Sequence, residues 1–434
     1  MLSPGQLVTV VPEKPVVGGR MLARVDGEVL LVEGGLPDER VSVRVDKRQQ
    51  GVWLGHVVDV VEASQDRRDP GEDPACGGMT FAHVVYERQC ELKVAIAADA
   101  LSRIAKVAPG LPLSISPSPE HGYRCRYRLH RDRHRLGFFR EATHDVCDPA
   151  PSGQLSPASL ACVRDVEERV RDLDTAAVEA FEFMENVSNS ERVVNLAVRP
   201  GARLAADTVA ALIGSPGLQG ISSTTTATGD ITAHAGRIWV GDPVSVFAEP
   251  RRDPGTLVPI LRRHAPSFFQ ANRYLVARLA RAVADRLVDG PVVDLYAGVG
   301  LFAVSLAAAG RDQVLAIEQD ARSVGDLRWN AKPFKRQLSV IATTVEAFMS
   351  SGPRLRDANV IVDPPRTGMS RAALSAILAT GARSIVYVSC DVATLARDAR
   401  RLLDAGYALS HIEAFDLFPN TAHVEVMAVF GSGT

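Results

Sequence analysis

At 434 residues the chain exceeds what one compact core holds, and at ~150 residues per domain it predicts about three domains. Its 46% apolar and 23% charged residues exclude wholesale disorder, and no run reaches the ~18 unbroken apolar residues of a membrane span. A formal charge of −2 gives no global sign of a polyanionic partner, so a nucleic-acid surface must be a local patch.

The start MLSPGQLVTV lacks the basic and apolar regions of a secretory signal. That predicts a cytoplasmic protein whose six cysteines (Cys76, Cys90, Cys125, Cys147, Cys162 and Cys390) are reduced, being too few and too scattered for a disulfide scaffold. Residues 1–65 alternate short apolar strands with glycine turns, such as Gly18-Gly19, Asp26-Gly27 and Gly34-Gly35. This predicts a small closed β-barrel, OB-like or SH3-like. Ser64 to Pro74 reads as a linker. Helical spacing runs from Phe81 to Val107, and alternation returns over 121–147. There Arg124, Arg126 and Arg128 share one face of a strand, and 121–140 holds seven Arg against one Asp. A solvated strand face and a phosphate-facing strip both fit. The barrel segment carries seven Lys/Arg against nine Asp/Glu, so phosphate binding falls to the strip. Residues 160–265 mix helix and strand patterns without a legible motif.

From Pro266 the pattern changes. A helix is predicted over 267–288, then strands at 292–296, 313–317, 338–342, 359–362, 384–388, 408–414 and 424–430. Helices are predicted from Leu301 and at 321–330, 371–379 and 392–405. The alternation predicts a doubly wound α/β sheet with a cleft at the strand carboxyl ends. The expected domains are 1–65, 66–265 and 266–434.

Four constellations fall on those strand ends. Asp294-Leu-Tyr-Ala-Gly298-Val-Gly300 turns the first strand into a helix, and Glu318 ends the next, where a carboxylate can accept both hydroxyls of a ribose. Gly298 to Ala303 also satisfies the G-x-G-x-x-A form of a dinucleotide site, although Asp294 suits the cationic end of S-adenosylmethionine better than a pyrophosphate. Asp363-Pro364-Pro365-Arg366 follows an apolar strand; the prolines fit a strand terminator or a rigid turn that aims a polar group. Arg366, standing where many amine methylases carry an aromatic residue, does not favour an amine target. Cys390 closes a strand just before a helix, where helix amides favour a thiolate, while a small buried hydrophobe is the alternative. His423 and Glu425 share a strand face, as a surface pair, part of a metal site or a proton-abstracting base. No cluster has zinc spacing.

These segments, with Ser267-Phe268-Phe269-Gln270-Ala271-Asn272, DPPRTGM from Asp363, YVSCDVATLARD from Tyr387 and FPNTAHVE from Phe418, occur in an order that resembles the RNA uracil-5 methyltransferases carrying an N-terminal TRAM domain. The resemblance spans nearly the whole chain. It implies an OB-like TRAM barrel, a central RNA-binding α+β domain and a class I methyltransferase domain. It further implies Cys390 as nucleophile, Glu425 as base and Asp363 aligning the ring or the donor. Gln270, Tyr296, Gly298, Glu318, Thr344 and Asp363 would line the S-adenosylmethionine site, and Phe268 or Phe269 would stack on the base. The implied partner is RNA, ribosomal (23S) ahead of transfer RNA, with no membrane and no obligate protein partner. Rivals are a dinucleotide oxidoreductase and a non-catalytic RNA-binding module. Relatives often bind an iron–sulfur cluster through four cysteines. Here Cys76 and Cys147 match two of those positions, with Pro70 and Met79 at the others, so no cluster is expected; Cys90 nearby leaves only an irregular metal site open. Leu301 and Thr344 depart from the polar residues that relatives often present to the donor.

Overall fold

The computed structural model describes residues 2–107, 111–132, 135–225, 230–249 and 258–432. In the first segment six strands lie in the order Leu7–Val10, Arg40–Gln49, Val52–Glu62, Glu28–Glu33, Met21–Val25 and Lys14–Pro15. The two edge strands are consecutive in the chain, three residues apart, so one stretch of backbone serves both edges of the sheet. Alternation builds the interior: Val41, Val43 and Val45 point inward from one strand to meet Ala23, Leu30, Val32 and Trp53.

The second sheet has seven strands, in the order Val146–Cys147, Arg135–Phe139, Arg126–Asp132, Val178–Glu185, Arg192–Val198, Gly220–Thr225 and Ile231–Gly236. Helix Pro157–Arg169 covers it. Ser156 Oγ caps that helix by accepting from the Ser159 amide, and proline fills its first turn. The expectation of six reduced thiols is corrected here, because Cys76 and Cys147 form a disulfide. The Gly77 amide donates to the Phe139 carbonyl while Cys147 pairs with Phe138 in the neighbouring strand, which sets the two thiols side by side. Cys90, Cys125, Cys162 and Cys390 are free.

The third sheet has eight strands: Leu338–Ala342, Val314–Glu318, Val292–Leu295, Asn359–Val362, Ser384–Ser389, Glu425–Ser432, Tyr407–Phe415 and Ser114–Ser116. All neighbours are parallel except the two pairs made by Glu425–Ser432. The inner strands are buried along their whole length and mostly apolar, as burial on both faces favours, and helices form a core on each side. Strand order reverses between Val292–Leu295 and Asn359–Val362, which opens a crevice at their carboxyl ends.

Two features depart from the predicted elements. Helix Tyr86–Ala100, with a π-helical turn Leu101–Ala105, packs Ala97, Ala100, Leu101 and Ala105 onto the third sheet, and Ser114–Ser116 adds its eighth strand. Residues 86–105 and 114–116, placed by sequence in the central segment, therefore complete the C-terminal sheet. The helix predicted over 267–288 covers only Val276–Asp285. Ahead of it, Asn272 Oδ1 accepts from the Tyr274 and Leu275 amides, while its Nδ2 reaches Ser118 Oγ and the Leu417 carbonyl. These side-chain bonds outcompete a helical backbone over 267–272.

Helix Tyr86–Ala100 also supplies Lys93, which is ion-paired to Asp416 with both side chains 0% exposed; its Nζ donates to the Phe418 carbonyl at 3.0 Å. Burial pulls the Lys93 pKa down and Asp416 opposes this. Lys93→Met strands a buried carboxylate and is expected to cost about 3–5 kcal/mol in chemical denaturation, whereas Lys93→Met with Asp416→Leu recovers most of the loss. Equal losses in both variants would refute the pairing account.

Candidate active site

The crevice begins at the glycine turn after Val292–Leu295. Tyr296 (φ 63°), Gly298 (φ 56°) and Gly300 (φ 97°) all adopt left-handed backbone, which for a tyrosine is a strained conformation of the kind concentrated at ligand sites. The glycines serve different ends. A Cβ at Gly300 would stand 2.7 Å from Leu327 and Val304, so that glycine lets the helix pack; one at Gly298 would meet nothing nearer than the Phe268 carbonyl at 4.0 Å. The Gly298 cradle is open. At its side the Gly298 amide donates to Glu318 Oε2 at 2.7 Å, and Glu318 Oε1 accepts from the Gln319 and Asp320 amides. Below it, Asp294 Oδ2 accepts from the Ala303 amide at 3.0 Å, while Oδ1 is buried without a hydrogen-bond partner among the described residues. Burial raises the Asp294 pKa well above the carboxylate range. An open cradle, a carboxylate at the second strand end and an orphaned carboxylate oxygen fit a ligand with a ribose and a cationic end, as S-adenosylmethionine has. Thr344 Oγ1 is engaged, capping helix Val345–Ser350 by accepting from the Ala347 amide at 3.0 Å.

Across the crevice stand Asp363, Cys390 and Glu425. Each lies at an end of one of three adjacent strands, Asn359–Val362, Ser384–Ser389 and Glu425–Ser432; the last runs antiparallel, so its first residue meets the carboxyl ends of the others. Asp363 Oδ2 accepts from Gln270 Nε2 at 3.2 Å. Burial raises the Asp363 pKa against that hydrogen bond. It raises that of Glu425 well above the usual range, reinforced by the charge of Asp363 and opposed by Arg366. The expected thiolate is corrected: burial, then Glu425, push the Cys390 thiol up to about 11, and Arg366 opposes them. Of the amides at the start of the following helix, that of Thr394 is taken by the helix's own cap, donating to Asp391 Oδ1 at 2.8 Å. At rest the site holds a thiol beside two carboxyl groups and one guanidinium. Arg366, read from sequence only as disfavouring an amine target, is the cation that faces the thiol; its place in the Asp363 turn was the available signal.

The two phenylalanines separate. Phe269 is 2% exposed, edge-on to Phe247 and under the Arg263 guanidinium at 4.0 Å, whereas Phe268 is 56% exposed with Arg126 over its ring at 5.6 Å. The arginine face alternates as predicted, yet its charges are unequally free. Arg124 donates to Gln154 and lies over Phe138, and Arg128 pairs with Glu179 and Glu182. Arg126 makes no ion pair among the described residues, and its Nε is buried without a partner. Arg133 of that strip lies outside the described residues. His423 stands edge-on to Phe418, and among the described residues no group of three or more His, Cys, Asp or Glu is placed to hold a metal. One device escaped sequence reasoning. Asn420 gives its amide to Gln89 Oε1, accepts from Gln89 Nε2 and Arg68 at Oδ1, and from the Phe81 amide at its carbonyl. The loop leading into Glu425 is thus held from outside the sheet.

Two expectations follow from this geometry. Phe268→Ala should leave stability within about 0.5 kcal/mol and depress turnover, whereas Phe269→Ala should cost about 3–5 kcal/mol; the reverse pattern in paired melts and rate assays would exclude Phe268 as the stacking residue. Alkylation of Cys390 by iodoacetamide should rise about tenfold per pH unit up to about pH 11, because only the thiolate reacts. Removing the opposing cation with Arg366→Met raises the thiol pKa further, so alkylation at pH 8 should slow by about three- to tenfold. A faster reaction would contradict the assigned sign.

Residues 259–431 match the family model described as tRNA (Uracil-5-)-methyltransferase. An uncharacterized RNA methyltransferase of Streptomyces avermitilis is 31% identical over 95% of both chains. The 23S rRNA (uracil(1939)-C(5))-methyltransferase of Halomonas elongata is 30% identical over 94% of this chain and 86% of its own. In fold, the chain is similar to the crystal structure of Pyrococcus abyssi tRNA (uracil-54, C5)-methyltransferase in complex with S-adenosyl-L-homocysteine, with a TM-score of 0.74 at 23% identity, covering 98% of this chain and all of that one. With relatives at this identity along nearly its whole length, and with Asp363, Cys390 and Glu425 gathered at one sheet edge, the chain belongs to the RNA uracil-5-methyltransferase family.

Proposed function

We propose that this protein methylates C5 of a uridine in 23S ribosomal RNA, with S-adenosylmethionine as donor and Cys390 as nucleophile. The observation that carries the reading is the meeting of a thiol and two carboxyl groups at the strand ends facing the open Gly298 cradle. Ribosomal RNA is preferred over transfer RNA because relatives at about 30% identity over nearly the full chain are named for it. A dinucleotide oxidoreductase would leave Cys390 and Glu425 without a task.

Uracil C5 is a poor nucleophile until C6 is saturated. Cys390 sulfur bonds to C6 as its proton leaves to a neighbouring carboxylate, and the C5–C6 π pair moves toward C5 and O4. With S-adenosylmethionine held at Asp294, Tyr296, Gly298 and Glu318, C5 would take the methyl as its bond to the sulfonium sulfur breaks, and S-adenosylhomocysteine would leave. Asp363, anchored by Gln270, holds the reacting groups in line. Glu425 then takes the C5 proton, the C5–C6 double bond re-forms and the C6–S bond breaks, returning Cys390. The high proton affinity of Glu425 suits a base that must accept a carbon-bound proton. Phe268, exposed beside Arg126, is the stacking face for the everted base.

In this reading the six-stranded sheet is the OB-like barrel of a TRAM domain, its single split strand at both edges giving closure. Residues 66–265 bind RNA and 266–434 catalyse, with 86–105 and 114–116 built into the catalytic sheet. Arg126 contributes its free charge, and Arg124 and Arg128 shape the face around it. No iron–sulfur cluster is assigned: Cys76 and Cys147 are bonded to each other, and Pro70 and Met79 offer no thiolate. The protein acts in the cytoplasm, where its RNA is.

The test is methyl transfer from labelled S-adenosylmethionine to 23S rRNA and total RNA lacking the modification. Labelled 5-methyluridine, lost entirely in Cys390→Ala, is expected, with Glu425→Gln accumulating an RNA adduct stable to denaturation. Label in another nucleoside, or persisting without Cys390, would overturn the assignment.

A further inference from the structure

Behind the Asp363–Arg366 turn, helices Arg371–Thr380 and Val392–Asp404 frame a groove of about 410 Å3 lined by Met369, Arg371, Arg397, Asp398 and Arg401. Three cations share it with one carboxylate, and that carboxylate is already committed. Asp398 Oδ2 accepts from Tyr387 Oη at 2.8 Å and from the Met369 amide at 3.2 Å, and Oδ1 from Arg397 Nε at 2.8 Å. Arg401 donates to the neutral Ser375 Oγ at 2.9 Å. Arg371 is exposed and makes no hydrogen bond or ion pair among the described residues. It also occupies the first turn of its helix, where the helix dipole disfavours a cation, so its placement costs stability that no partner among the described residues offsets. At the start of the first helix, Ser370 Oγ donates to Glu346 Oε1 at 2.7 Å.

The groove's second helix is hydrogen-bonded to the turn that carries Asp363 and Arg366. Thr394 Oγ1 on the second helix donates to the Arg366 carbonyl at 3.4 Å, and Arg397 donates to the Thr367 and Met369 carbonyls. The guanidinium that faces Cys390 and the three that line the groove therefore follow one another along a single turn and its flanking helices. We propose that this groove binds the phosphodiester backbone of the substrate RNA where the strand leaves the site of the everted uridine, with Arg371 and Arg401 as the phosphate contacts. Arg397 is the positioning residue, spending its bonds on the turn that carries Asp363 and Arg366. The inference rests on RNA being the substrate. It shifts part of the phosphate binding away from the 124–128 strip, where Arg128 is already ion-paired.

The test compares the full-length protein with Arg371→Gln/Arg401→Gln on an RNA that the wild-type protein methylates. Removing two phosphate contacts should make the slope of log K against log salt shallower by about 1.4–1.8, and raise the KM for RNA about tenfold or more near physiological salt. S-adenosylmethionine affinity and melting temperature report whether the variant is folded; Arg371→Gln alone, on an exposed side chain, provides a second and milder variant showing about half the change in slope. Arg354→Gln/Arg356→Gln, which removes two exposed charges at the opposite edge of the sheet, should change neither slope nor KM. An unaltered slope in a folded Arg371/Arg401 variant, or an equal change in the Arg354/Arg356 variant, overturns the groove. Wild-type protein that methylates no RNA would instead overturn the functional reading itself.

Discussion

The enclosure of a thiol and two carboxyl groups at the carboxyl edge of one sheet governs this molecule. Burial raises the proton affinity of Asp363, Cys390 and Glu425 alike, and Arg366 is the cation set against it at the latter two. Each group in such a site binds a proton more tightly than it would in water, so a carboxylate ionised there is a strong acceptor. The resting thiol is a weak nucleophile, so loss of its proton is tied to bond formation at the substrate, with carboxylates as nearby acceptors. A strand order that turns back at Glu425–Ser432 is what permits the arrangement: an all-parallel sheet would send the start of that strand to the far edge.

Holding such groups together takes more than the sheet that bears them. Gln270, which anchors Asp363, lies in a loop pinned to the central sheet: the Cys125 amide donates to the Ala271 carbonyl at 2.8 Å and the Cys125 thiol to the same oxygen at 3.2 Å. Arg273, just beyond, reaches Glu185, which also takes Arg192 and Tyr127 Oη. On the other side Lys93 and Gln89 fix the loop that delivers Glu425. The Gly19 turn of the first sheet closes on that loop, where a Cβ would stand 2.4 Å from Ala422. Buried polar networks of this kind specify one arrangement because every partial alternative strands a charge or a donor. Residues from all three sheets thus share in positioning one carboxylate and one amide.

The legible parts of the site are those where a local rule and the fold agree. Parallel strands buried on both faces announce themselves as apolar runs, and a polar residue ending such a run has to project into the crevice, which is why Asp363, Cys390 and Glu318 were readable. What escaped depends on residues distant in sequence. Asn272 unwinds the start of a predicted helix by bonding to Ser118 and Leu417, some 150 residues away on either side. Small apolar residues of 97–105 fit any helix, and only the third sheet says where they pack. The thiolate expectation failed on burial, which spacing does not report: enclosure and then the charge of Glu425 raise the thiol's affinity for its proton. The paired state of Cys76 and Cys147 rests on a bridge between segments 71 residues apart, beyond the reach of spacing.

Charge shows the same limit in its sharpest form. In a chain of formal charge −2, a run of arginines says little until their partners are known, since most find carboxylates somewhere. Glu179 and Glu182 lie on the strand that pairs with Arg128, about fifty residues later, and turn part of an apparent phosphate strip into structure. The converse holds at Arg371, which no sequence pattern singles out and which, among the described residues, stands unpaired at a helix start. A folded protein offers a polyanion only the cations its own carboxylates have left over. By that measure the proposed RNA path rests on Arg126, Arg371 and Arg401, which form no ion pair among the described residues, and not on the density of arginine along the chain.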